Sequence, residues 1–183
     1  MDLVSKPDEL LGSTNFEVKY SDLAGRIAKL ETPHGDIETP TFIPVVHPVR
    51  QSISPGFLRS SGFDAIITNA YIVLQHYGET ARNKGIHDIV KFDGVVMTDS
   101  GGYQVLEYGS LCVEPETIAQ FEKDIRSDIC VPLDKPTGYG LDYSIAKKYV
   151  EETLVNAKQT LNLAFDKSES KLSRDNKGSS GEA

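Results

Sequence analysis

At 183 residues, with 39% hydrophobic and 25% charged side chains, the chain is long enough to bury one sizeable core and too apolar to be globally disordered. Its 27 acidic residues outweigh 19 basic ones, a formal net charge of -8, so its surface on average repels a phosphate backbone and any RNA contact must be local or supplied by a partner. Cys112 and Cys130 lack CxxC spacing and read as buried thiols in a reducing compartment, and no apolar run approaches the ~20 residues that span a bilayer, so a cytoplasmic protein without a membrane segment is expected.

Residues 1–12 are polar and mixed and read as a loose arm, with no basic segment leading into an apolar run and hence no signal peptide. From Phe16 to Leu30 the sequence FEVKYSDLAGRIAKL predicts two strands joined around Asp22 to Gly25, an antiparallel hairpin. The next stretch, TPHGDIETP, is punctuated by Pro33, Gly35 and Pro40 and reads as turn. The apolar run from Thr41 to Val46 is short enough for a buried strand. From there strands and helices alternate. Ser54 followed by Pro55 marks a helix start, Phe63 to Asn69 reads as a buried strand, and residues 78–92 read as helical, broken at Gly85. Gly94 to Asp99 is a third buried strand, ending abruptly in Ser100, Gly101 and Gly102. A helix begins at Glu114 and Pro115, a fourth strand runs from Asp128 to Asp134, and a long helix from about Tyr143 to Phe165 repeats apolar residues such as Val150, Leu154 and Leu161 at helical spacing. The remainder, KSESKLSRDNKGSSGEA, reads as a disordered polar tail.

Strands that are apolar throughout and alternate with helices indicate an α/β fold with a parallel sheet covered by helices. About four βα units after a hairpin make either half of a (β/α)8 TIM-type barrel, which takes ~250 residues when whole, or a small doubly wound sheet. The expected organisation is an arm over residues 1–12, one α/β unit over 13–166 and a tail over 167–183.

Two of these strands end in an aspartate, Asp99 and Asp134, and in parallel βα folds ligands bind at the carboxyl ends of strands. Thr68 and Asn69 form a third polar strand end. In the segment DSGGYQ, Gly101 and Gly102 permit close approach and positive φ, Ser100 and Gln104 offer adaptable hydrogen-bonding groups, and Tyr103 offers a face for a heterocycle. A carboxylate at Asp134 only accepts, so it suits the paired N–H donors of a guanine-type edge. The plainer alternative makes each aspartate a turn cap and the glycine pair a tight turn. His47, His76 and His87 lie at loop or helix positions with no second histidine or cysteine three or four residues away, so no metal site is expected, and Lys147 with Glu151 reads as an ion pair on a solvated helix face.

The segments MTDSGGYQ, TPTFIPVVHP, FDAIITNAYI and SDICVPLDKPT together resemble the tRNA-guanine transglycosylases, over Phe16 to about Ser168. TPTFIPVVHP, FDAIITNAYI and LEYGSLCVEPETI are similar to the archaeal branch, whose enzymes exchange a guanine of the tRNA D-arm for 7-cyano-7-deazaguanine. The resemblance implies a barrel in which Asp99 is the catalytic aspartate of the DSG motif, acting as acid/base or nucleophile. Asp134 then recognises the base edge, and Tyr103 stacks on the base with Ser100 beside it. Two successive displacements at the ribose anomeric carbon would retain configuration. The family's second half carries the aspartate most often assigned as nucleophile, a glutamine-glycine base contact and a zinc site of three cysteines and a histidine, none of which is found after Asp134. No cofactor is therefore expected in this chain. The expectation is tRNA base exchange by a fragment or split subunit, with guanine or 7-cyano-7-deazaguanine as ligand. The tRNA would be reached through a partner, a complementary C-terminal half or a homologous subunit. Two alternatives stand: a non-catalytic accessory subunit or purine-binding module, and an unrelated α/β enzyme that uses strand-end aspartates on a small polar substrate.

Overall fold

A computed structural model describes residues 15–102 and 113–165. The fold is α/β, with one antiparallel and one parallel sheet. Strands β1 (Asn15–Asp22) and β2 (Gly25–Thr32) form the expected hairpin, closed by Leu23 and Ala24, with a register shift between Val18 and Tyr20. A third strand, β3 (Gly35–Thr39), pairs antiparallel with β2 and sets Ile37 opposite Leu30. The reading of TPHGDIETP as turn is corrected here. Pro33 and Pro40 lie just outside the strand, where a missing N–H costs no ladder bond, and one inward side chain, the buried Ile37, is enough to fix the face.

The parallel sheet has the order β4 (Ala65–Asn69), β5 (Val95–Asp99), β6 (Ile129–Cys130). Its register runs from Ala65 opposite Val95 to Asn69 opposite Asp99. The strand expected over Thr41 to Val46 is reduced to a single parallel bridge, Val45 to Ile67. Pro44 has no N–H to give the ladder, and Val45 is 83% exposed rather than buried. The strand expected over Asp128 to Asp134 is likewise cut to two residues. The ladder ends once the Val131 N–H has reached the Thr98 carbonyl at 3.0 Å, because Pro132 follows. At this sheet edge Cys130 is exposed, not buried as expected, while Cys112 lies outside the described residues. So do the proposed arm over 1–12 and the tail over 167–183.

Helix α1 (Pro55–Ser60) is capped by Ser54, whose Oγ accepts the Phe57 N–H at 3.2 Å. Helix α2 (Ala70–Lys84) starts directly after β4, eight residues earlier than the glycine at which helix was expected, and kinks at Gly78. After Gly85 come α3 (Ile86–Val90), α4 (Pro115–Asp124) and α5 (Tyr143–Phe165). The main core joins Ile66 and Val96 of the sheet to Val73, Ile118, Phe121 and Ile125 of the helices. Each such burial is worth about 1.5–3 kcal/mol. A smaller cluster of Ile37, Ala65 and Val95, with Leu30, Ile43 and Ile129 against it, plugs the N-terminal ends of the parallel strands with the antiparallel sheet.

Helix α5 packs on α4 and sends the Asn156 Nδ2 to the Leu133 carbonyl at 2.9 Å. Its outer residues Val150, Leu154 and Leu161 remain more than half exposed. Lys147 and Glu151 stand 4.0 Å apart, in keeping with the expected solvated pair. Among the described residues no helix is long and apolar enough to cross a membrane.

Candidate functional site

The parallel register places Asn69 and Asp99 side by side as the last residues of β4 and β5. One residue earlier, Thr68 and Thr98 point inward and are buried. Asn69 does two jobs. Its Oδ1 accepts the Ile72 N–H at 2.9 Å and so caps α2, and its Nδ2 donates to Asp99 Oδ2 at 3.0 Å. The Gly101 N–H approaches Asp99 Oδ1 at 3.4 Å, a long contact that, among the described residues, leaves most of that oxygen's accepting capacity unspent.

The two glycines of the turn serve different local needs. Gly101 has φ +96°, a conformation that side chains rarely adopt. Gly102 provides close approach: a Cβ there would stand 1.8 Å from Asp134 Oδ1. Asp134 is not the end of a strand, as the sequence suggested, but lies in the irregular stretch beyond β6. That stretch nonetheless brings its carboxylate against the turn that follows Asp99. Ser100 is 2% exposed, and among the described residues its hydroxyl has no hydrogen-bond partner. Tyr103 and Gln104 lie outside the described residues.

Each aspartate faces a cavity of its own. Asp99 and Asn69, with His47, Pro48, Ile67 and Ile72, line one of about 250 Å3. That is just under the ~300–1,000 Å3 typical of drug-sized ligands and suits a single heterocycle. Asp134 lines a groove of about 590 Å3 with Glu114, Leu133, Lys135, Lys148 and Glu152. The Ser100–Gly102 turn links the two aspartates.

Sequence reasoning missed Glu122. It is fully buried on α4 and accepts the Thr98 hydroxyl at 2.7 Å, directly below the strand end. Burial pushes its carboxyl up to about 8, and the nearby Asp99 charge adds to this, against the opposing hydrogen bonds from Thr98 and Val131. The signal was present. Position 122 falls on the same helical face as Ile118, Phe121 and Ile125, where a carboxylate is out of place.

His47 Nδ1 accepts the N–H groups of Val49 and Arg50, each at 3.1 Å, and His76 Nδ1 lies 3.0 Å from the Ile72 carbonyl of its own helix. His87 is different, because the fold brings it to His34 and Asp128 at the opposite end of β5. Local spacing gives no sign of partners so distant in sequence.

Known proteins place this arrangement. The family model described as Queuine tRNA-ribosyltransferase matches residues 22–180. A tRNA-guanine(15) transglycosylase of Sulfolobus acidocaldarius is 43% identical over 145 residues, which cover 79% of this chain and 28% of that protein. Its counterpart from Aeropyrum pernix is 45% identical over 142 residues, 78% of this chain and 28% of the relative. That from Nanoarchaeum equitans is 44% identical over 149 residues, 81% of this chain and 36% of the relative. The chain thus spans little more than a third, at most, of these relatives' lengths. A match that takes in the Asn69–Asp99 strand ends, the glycine turn and Asp134 together makes this chain a member of the queuine tRNA-ribosyltransferase family, of the archaeal tRNA-guanine transglycosylase type.

Proposed function

We propose that this chain supplies the base-binding half of a site that exchanges a guanine in tRNA, and that it works with a complementary polypeptide carrying the other half. The observation that carries this reading is the Asp99 carboxylate, held by Asn69 at one cavity, with Asp134 across the glycine turn lining the adjoining groove, where the base edge would lie. In this reading Asp99 acts at the ribose as acid/base or nucleophile, and Asp134 accepts the N–H donors of the base edge. The Ser100 hydroxyl, without a partner among the described residues, would gain one when the base binds, which removes a penalty of about 1–3 kcal/mol. Tyr103 and Gln104, which lie outside the described residues, are proposed as further base contacts. The position named for the relatives, guanine 15, is the proposed target.

The two sheets and their helices are read as the first part of a (β/α)8 barrel. Exposed Val45 on one flank of the parallel sheet, and Val150 and Leu154 on the outer face of α5, are the apolar surfaces that further βα units would cover. The net charge of -8 assigns most tRNA contacts to the partner. The reading places the protein in the cytoplasm with its tRNA substrate. The zinc site of three cysteines and a histidine that the family implies does not fit this chain's two cysteines.

The test is reconstitution. This chain, mixed with a separately produced polypeptide that supplies the remaining half, should incorporate labelled guanine or 7-cyano-7-deazaguanine into tRNA, and the Asp99→Asn chain should not. Calorimetric binding of either base without incorporation in the mixture would favour a purine-binding accessory subunit. Failure to bind either base removes both readings.

A further inference from the structure

His34 sits in the turn between β2 and β3, His87 on α3, and Asp128 just ahead of β6. Three elements separate in sequence thus meet at the N-terminal end of the parallel sheet. His34 Nδ1 lies 2.7 Å from Asp128 Oδ1, His87 Nε2 lies 2.9 Å from Asp128 Oδ2, and the two imidazoles stack with centroids 3.7 Å apart. The three donor atoms fall within 4.8 Å of one another. The Asp128 side chain is completely buried, and its Oδ2 also accepts the Val96 N–H at 2.8 Å, a backbone contact that fixes the carboxylate's orientation. His34 and His87 also line a groove of about 810 Å3, so the cluster is closed on the sheet side and open to solvent on the other.

We propose that His34, His87 and Asp128 form a binding site for a divalent transition cation of the zinc type, separate from the base site at the other end of β5. Two imidazoles and one carboxylate are a donor set that such ions take, and water from the groove completes the coordination. Without metal, each facing ring nitrogen carries the proton it shares with Asp128, since the carboxylate only accepts. Metal binding needs the opposite tautomer of each ring, with the proton moved to the nitrogen facing away, and the total proton count is unchanged. The required atomic movement is small, because N···O separations of 2.7 and 2.9 Å are already close to those of ligands sharing one ion. The bound ion would bolt the antiparallel sheet and α3 to the start of β6.

The full chain, stripped of metal with a chelator, is titrated with Zn2+ by calorimetry and with Co2+ by visible absorption. One equivalent is expected, with Co2+ bands of a low-coordinate site. His34→Ala and His87→Ala should each weaken uptake on the order of 100-fold, the scale at which loss of a direct ligand exceeds loss of its supporting contacts. His34 is partly exposed, so its replacement tests the site without removing core packing. Cys130→Ser should leave uptake unchanged. The proposal falls if wild type binds less than one equivalent, if neither histidine replacement alters binding, or if Cys130→Ser abolishes it. None of these results bears on base binding at Asp99, which the guanine titration reads separately.

Discussion

Strand β5 has an aspartate working at each end, and the two are employed in opposite ways. At its start, Asp128 of the neighbouring strand lead is saturated by three donors, His34, His87 and the Val96 N–H. Burial alone would push this carboxyl up, but the bonds from His87, Val96 and His34 outweigh it and hold it below the usual carboxylate range. At the strand's finish, Asp99 has, among the described residues, one good donor, Asn69, one long contact from Gly101, and a cavity in front of it. Both residues are carboxylates within one small sheet. What separates a fastening from a reactive group is how many protein donors have been spent on it.

The sharpest break of that contrast is Asp99→Asn. It should lower base exchange by the reconstituted pair about 1,000-fold or more, roughly 4 kcal/mol of barrier, with folding intact by circular dichroism. Asp128→Ala should do the reverse, removing about 3 kcal/mol of stability in urea denaturation of metal-free protein, because it strands a backbone N–H and two histidines. Between the two lies Glu122. Its carboxyl is raised from an ordinary 4.5 to about 8, so the native state keeps a proton that the unfolded chain loses, and stability declines as pH rises between those values before levelling off. Glu122→Gln should flatten that decline and add on the order of a few kcal/mol near pH ~8, measured by urea denaturation from about pH 5 to 9. The smallest effect expected is that of Gly102→Ala. A methyl group there displaces Asp134 and should weaken guanine binding about tenfold by calorimetry without changing the fold. Unchanged affinity would separate Asp134 from the base site.

Much of this was legible in sequence where a local rule had no competitor. Ser54 before Pro55 announced α1, the apolar run before Asp99 announced β5, and the periodicity from Tyr143 to Phe165 matched α5 at both ends. The misreadings share a cause. Whether Gly35 to Thr39 becomes a strand depends on β2 being alongside, and whether Asp128 to Asp134 stays one depends on Pro132 at a sheet edge. Asn69 was noticed as a polar strand end, but its double role as helix cap and Asp99 donor needs the β4–β5 register. The His34–His87–Asp128 cluster was invisible for the same reason, since its members are 41 to 94 residues apart.

The three-stranded meander carries a kinetic consequence. Its pairings, from Asn15 opposite Glu31 to Thr32 opposite Gly35, all close within 25 residues of chain, whereas Met97 must find Ile129 across an intervening helix. Short loops close quickly and cost little entropy, so the meander should assemble early and wait. Its apolar face, centred on Ile37, then stays wet until Ala65, Val95 and Ile129 arrive to cover it. During refolding that waiting face is the surface through which two chains would first stick together.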